Sequence, residues 1–184
     1  MKEIEIKARL RNKAAIIEKL KSLGCVFEKQ ATHEDTVYAE HVGSLTAFRT
    51  NKVFLRLRVK NGSKILFTLK KRMANDLDAI EHEVEVSSKD EMEKSLLLMG
   101  YREAARVNKA RETTRYNGCE ICVDEVENLG SFIEMEKLSE DGDSVKIQEE
   151  LFRFFLSLGV LLEDRAFSGY DILMMEQKEK EKPI

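Results

Sequence analysis

Eight stretches of this chain, 2–9, 35–39, 53–60, 64–71, 80–86, 104–116, 119–126 and 131–138, alternate apolar residues with polar or charged ones. A period of two sends successive side chains to opposite faces of a strand, so each stretch predicts a strand with two unlike faces. Asn61-Gly62 separates two of these runs and Asn117-Gly118 two more, and both dipeptides suit a hairpin turn. Strands joined in this way pair antiparallel. Three helical patterns with start and stop signals interrupt them. One begins at an Asn12 cap, runs through Ala15, Ile16, Leu20 and Leu23, and stops at Gly24. Another opens at Ser88 with Glu91 at capping-box spacing and runs through Met92, Leu96 and Met99 to Gly100. The third starts at Asp143 or Ser144 and passes Leu151, Phe154, Phe155 and Leu158 to Gly159. A shorter helix is expected at Tyr170 to Met175. Strands and helices in this mixture define the α+β class. The only proline is Pro183 and no linker composition breaks the chain, so residues 1–175 are read as one domain. The charged tail 176–184 is expected to fray into solvent.

The polar faces are sorted by sign. Glu3, Glu5 and Lys7 share one strand face, as do Arg56 and Arg58, then Thr68 and Lys70; Lys109 and Arg111 fall together, Asp124 follows Val123, and Glu134 and Glu136 flank Met135. Like charges at i and i+2 repel, and a solvated face gains nothing from them. They make sense where something between them carries the opposite charge. Acidic pairs with Asp124 supply hard oxygen ligands for Mg²⁺ or Mn²⁺. Basic pairs with Lys7 and Lys70 neutralise a polyphosphate, Arg gripping in a fork and Lys acting as a point charge. Taken singly, each pair is more simply a solvated or salt-bridged face; recurrence on several strands, in both signs, carries the argument. Glu3-Ile4-Glu5, Glu83-Val84-Glu85 and Glu134-Met135-Glu136 also each precede a helix ending in Gly, which a repeated unit and chance explain equally well.

Composition narrows the function classes. Lys and Arg number 31 against 34 Asp and Glu, for a net charge of -3, which excludes a simple basic nucleic-acid binder. The longest uncharged run near the C-terminus, Phe154 to Leu162, is far short of the roughly 20 residues that span a bilayer. Three cysteines are too few and too odd for a disulfide scaffold. With no apolar leader in the first residues, a soluble cytoplasmic protein without a membrane partner is expected. Cys119 and Cys122 have the Cys-x-x-Cys spacing, but on a strand they face opposite ways and are read as structural thiols. His33, His41 and His82 show no metal spacing and are read as surface or loop residues. Asp35 and Tyr38 fall on a strand that could bring them to substrate, and they are left out of the site set. Phe152, Phe154 and Phe155 are read as core, with a homodimer interface as the alternative.

The ordered set of motifs resembles the CYTH superfamily, the triphosphate tunnel metalloenzymes that include CyaB-type class IV adenylyl cyclases and thiamine triphosphatases. Glu3-Ile4-Glu5-Ile6-Lys7 is similar to the family's opening Glu-x-Glu-x-Lys signature. Leu55-Arg56-Leu57-Arg58, Phe67-Thr68-Leu69-Lys70, Lys109-Ala110-Arg111 and the run Val123 to Glu136 resemble the later motifs in order, and Ser168-Gly169-Tyr170 resembles a C-terminal Ser-Tyr element. Lys71-Arg72 stands where many members have Gly-Pro. The resemblance implies an eight-stranded antiparallel barrel, open as a tunnel, with helices packed outside and the charges on its inner wall. It implies Glu3, Glu5, Asp124, Glu134 and Glu136 as carboxylates for Mg²⁺ or Mn²⁺, and Lys7, Arg56, Arg58, Lys70, Lys109 and Arg111 as the grip on a small-molecule triphosphate. Glu83 and Glu85 line the wall or balance its basic side. The implied activities are adenylyl cyclisation of ATP or, as the alternative, hydrolysis of inorganic, thiamine or nucleoside triphosphate; a non-catalytic polyphosphate-binding module is the second alternative. Lys7 is either a general base, if nearby Arg lowers its pKa, or a phosphate ligand only.

Overall fold

Tyr116 pairs directly with Cys119 across Asn117 and Gly118, whose φ angles of 48° and 75° are the left-handed pair that a two-residue hairpin needs. Asn61 and Gly62, at 53° and 68°, turn the other expected hairpin. The computed structural model describes residues 2–140 and 142–181. Its elements run β1 (Lys2–Arg9), α1 (Lys13–Ser22), β2 (Ala31–Ala39), α2 (Leu45–Thr50), β3 (Val53–Lys60), β4 (Lys64–Arg72), β5 (Asp78–Glu85) and α3 (Lys89–Leu98). There follow β6 (Arg102–Tyr116), β7 (Cys119–Val126), β8 (Gly130–Ser139), α4 (Ser144–Ser157), the short β9 (Arg165–Ala166) and α5 (Tyr170–Lys180).

All pairings are antiparallel, in the order β5-β4-β3-β2-β6-β7-β8-β1. A further β1–β5 pairing, through Glu3 with Ala79 and Ile4 with Asp78, closes the eight strands into a barrel, and β9 adds to β1. Closure gives the alternating strands an inside and an outside. The outward residues Ile6, Ile121, Val123, Ile133 and Met135 pack against Ile16 and Leu20 of α1 and Leu151, Phe152 and Phe155 of α4. Each such large side chain, taken fully out of water, contributes about 1.5–3 kcal/mol. On the opposite side Leu96 of α3 packs on Tyr38, Leu55 and Leu57. The helix caps are those expected: Asn12, Ser88 and Asp143 accept from the backbone N–H groups of Ala15, Glu91 and Val145. Phe152 and Phe155 are core, and half-buried Phe154 stacks on Tyr116 at 4.8 Å.

Three details differ from expectation. β2 starts at Ala31, four residues early, because Thr32, His33 and Glu34 give no apolar rhythm. α2 has six residues, too short to show a period, and is marked only by its Ser44 cap, which accepts from the Ala47 N–H. α5 continues to Lys180 where fraying was expected from Glu176, because Glu176 pairs with Arg49 at 3.0 Å and Glu179 accepts from the Leu45 N–H at 3.2 Å. The last tail residues, 182–184, lie outside the described residues.

α5 also has a position that matters to the lumen. The inward residues Val37 and Phe54 cluster with its Ile172 and Met175, and Val107 and Phe132 with its Tyr170 and Met174. The barrel interior is therefore floored at that end, while the other end opens around Glu28, His33, Lys60 and Asn61.

Candidate active site: a charged barrel lumen

Ten of the eleven residues singled out by charge sorting and resemblance line one cavity of about 330 Å³: Glu3, Glu5, Lys7, Arg56, Arg58, Lys70, Lys109, Arg111, Glu134 and Glu136. Strand parity brings them there. β1 and β8 lie in a register that sets Glu5 opposite Glu136 and Lys7 opposite Glu134, while Ile6, Ile133 and Met135 on the intervening positions pack against the helices. The two Glu-x-Glu motifs are thus neighbours in space although more than a hundred residues apart.

Asp124 is the exception. It is 0% exposed and does not line the cavity. Its carboxylate accepts from Lys109 Nζ at 3.2 Å, from Arg111 Nε at 2.7 Å and from the Tyr170 hydroxyl at 2.9 Å. Asp124 stands behind the wall and holds its cations in place. Its pKa is lowered, because Lys109 and Arg111 override the effect of burial.

The basic wall comes from β3, β4 and β6. Arg58 grips Asp35 in a fork, Nε to Oδ1 and Nη2 to Oδ2, both at 2.7 Å, and this holds the Asp35 carboxyl well below its ordinary range despite burial. Arg56 reaches Glu83 at 3.3 Å and Glu81 at 3.7 Å, and Lys70 is paired with Glu81. Glu83 therefore both lines the lumen and balances its basic side, whereas Glu85 pairs with exposed Lys64 at 3.3 Å. Arg111 bridges Asp124 and Glu134.

Lys7 is 2% exposed, with Nζ 2.9 Å from both Glu5 Oε1 and Glu134 Oε1 and 4.0 Å above the Tyr170 ring. Burial works to discharge it, but the Glu134 and Glu5 carboxylates win and raise its pKa. The condition for Lys7 as a general base, a lowered pKa, is not met. Lys109 goes the other way. Burial and the neighbouring Arg111 lower its pKa, with Asp124 opposing them only in part.

The acidic stripe is under-neutralised. Burial, Glu81 and Glu136 push the Glu3 carboxyl up to about 9; burial, Glu5 and Glu81 push Glu136 up to about 7; burial and Glu134 raise Glu5. Seven Lys and Arg side chains line the lumen against ten Asp and Glu. Among the described residues no three His, Cys, Asp or Glu side chains converge on a ready-made metal site. The donor set nonetheless fits a divalent cation: the pKa values of Glu3, Glu5 and Glu136 are all raised because Lys7 and Lys70 offset their burial and mutual repulsion only in part, and a hard cation competes with protons for such carboxylates.

Three residues of the site carried no sequence motif, and a fourth, Tyr170, belongs to the Ser-Tyr element but was given no place in the site. Asp35, Glu81 and Arg72 line the cavity, and Tyr170 lies under Lys7 and Lys109. Their signal is register: Asp35 pairs with Arg58 across β2–β3, and Glu81 with Lys70 across β4–β5. Tyr38, on the other face of β2, packs outside and donates to Glu93 at 2.8 Å. Cys119 faces the core and Cys122 the lumen side, as strand parity requires. His41 and His82 are exposed, but His33 is buried on the inner wall at 4% exposure, which corrects its reading as a surface residue. Its strand was not visible from apolar rhythm.

The CYTH domain family model matches residues 1–170. The chain belongs to the CYTH family. A Methanocaldococcus jannaschii protein described as a candidate adenylate cyclase is 30% identical over 163 residues, covering 87% of this chain and 91% of that protein. A Pyrococcus horikoshii protein of solved structure superposes with a TM-score of 0.79 at 30% identity, covering 95% of this CYTH chain and 99% of its own. A Hippeastrum protein, described as a candidate adenylyl cyclase with a dominant triphosphatase activity, shares the fold at a TM-score of 0.57 and 17% identity, covering 92% and 91% of the two chains. CYTH proteins bind triphosphate substrates and use divalent metals. Among the described residues, no helix of this one is long and apolar enough to cross a membrane.

Proposed function

We propose that this CYTH protein is a divalent-metal-dependent enzyme acting on the phosphate chain of a triphosphate, and that ATP cyclisation to cyclic AMP and pyrophosphate is its reaction. The observation that carries the reading is the division of one lumen into a basic wall on β3, β4 and β6 and an under-neutralised acidic stripe on β1 and β8. Phosphoryl chemistry asks mainly for charge neutralisation and in-line positioning. Arg56, Arg58, Lys70 and Arg111 supply the first, already oriented by Glu83, Asp35, Glu81 and Asp124. A Mg²⁺ or Mn²⁺ ion held by Glu3, Glu5 and Glu136, with Glu134 beside them, would supply Lewis-acid polarisation of the phosphate oxygens.

In cyclisation the ribose 3′-oxygen bonds to the α-phosphorus, the α–β bridging bond breaks, and pyrophosphate leaves with the electron pair. Lys109, whose pKa burial and Arg111 lower while that of Lys7 is raised, is the lumen amine better placed to take up the hydroxyl proton. Lys7, fixed by two carboxylates, stays charged and serves as a phosphate contact. Hydrolysis by water at the terminal phosphorus is the second reading, and the activity described for the Hippeastrum protein favours it. Product analysis with ATP, thiamine triphosphate and inorganic triphosphate in Mg²⁺ and in Mn²⁺ separates them. Cyclic AMP with pyrophosphate is the expected result; orthophosphate assigns a hydrolase, and binding without any product assigns a binding module.

A further inference from the structure

His33 sits on β2 two residues before Asp35 and on the same face, with Lys60 and Lys109 as its cross-strand neighbours. It is 4% exposed, and neither ring nitrogen has a hydrogen-bond partner. Buried polar groups in folded proteins are almost always paired, so an imidazole left with two open positions marks a place where something else binds. The residue lines a second cavity of about 370 Å³ at the open end of the barrel, with Glu28, Lys60, Asn61, Thr113 and Glu120. Arg58, Glu83, Arg111 and Glu120 line both this cavity and the lumen, so the two are continuous.

We propose that this mouth is a nucleoside subsite in which His33 hydrogen-bonds the edge of a nucleobase whose triphosphate lies on the basic wall. The inference rests on the triphosphate reading of the lumen and adds the residue that contacts the organic group. Three observations favour it. The ring is neutral, its pKa pushed down to about 3 by burial and by Arg58, Lys109 and Arg111, so one nitrogen donates and the other accepts. The two ring nitrogens point apart, so each meets a single partner; a base edge can supply a donor to the accepting nitrogen, which a phosphate oxygen, an acceptor only, does not. The same cationic neighbours disfavour a metal ion at this ring. Finally, α5 and its apolar contacts close the other end of the lumen, so a group larger than phosphate extends toward the mouth.

The test is calorimetric titration, in Mg²⁺, of ATP and of inorganic triphosphate, each with methylene groups in place of the bridging oxygens. His33→Ala and His33→Leu, the latter keeping much of the volume, are both titrated, with thermal melting as the check on folding. The expected result is a roughly tenfold weakening for the ATP analogue with the triphosphate analogue unchanged, and recovery in His33→Gln, which restores a neutral donor and acceptor. Equal weakening for both ligands, or none for either, overturns the role of His33 while leaving the phosphate site intact. Failure of the wild-type protein to bind the triphosphate analogue overturns the phosphate reading and this inference with it.

Discussion

At the residue scale, the division of labour among carboxylates decides most of the chemistry. Asp124, fully buried against Lys109, Arg111 and Tyr170, is a structural counter-charge, so Asp124→Asn leaves two cations short of a partner in a dry site. Breaking such a buried arrangement typically costs about 3–5 kcal/mol, and urea denaturation is expected to show a loss of that order. Intact stability with lost metal affinity would instead make it a ligand. Glu3 and Glu136 make the opposite prediction. Their folded pKa values, about 9 and about 7, exceed the ordinary 4.5, so over that interval the folded chain holds protons that the unfolded chain has released. Stability without metal is therefore expected to fall as pH rises from about 4.5 toward 9. Mg²⁺ displaces those protons, so its stabilisation is expected to be larger at pH 9 than at pH 6, with proton release visible as a buffer-dependent binding enthalpy. Equal stabilisation at both pH values would contradict the acidic stripe as the cation site.

At the scale of elements, the hairpins and capped helices were legible because each has a local cause. Gly118 is one: a Cβ there meets nothing within 4 Å, so Gly118→Ala tests backbone conformation alone. At φ 75° it is expected to cost about 1–2 kcal/mol, read as a lowered denaturation midpoint; an unchanged midpoint would mean that the turn does not constrain the barrel. The first half of β2 was not legible, since both its faces are polar: His33 and Asp35 face charged partners inside and Thr32 and Glu34 lie outside. The helix extent of α5 was equally hidden. Its last two turns are held by Arg49 and by the N-terminus of α2, contacts between segments that no window along the chain contains.

At the scale of the molecule, the near-equality of acidic and basic residues has a structural origin. Closing the barrel turns the sorted strand faces inward together, so seven basic and ten acidic side chains face one another in the lumen and offset all but a small acidic excess. The motif residues of the site were readable because strand parity needs only sequence spacing. Asp35 and Glu81 were not, because they enter through register; Tyr170 showed as part of a Ser-Tyr element, but its place under Lys7 and Lys109 depends on the placement of α5. The central claim is that the two halves of this lumen hold metal and triphosphate jointly. Calorimetric titration of the methylene-bridged triphosphate, with and without Mg²⁺, tests it most directly. Mg²⁺ is expected to tighten binding roughly tenfold or more in the wild-type protein and to lose that effect in the Glu3→Gln/Glu136→Gln double variant. Identical affinity with and without Mg²⁺ in the wild-type protein would contradict the account.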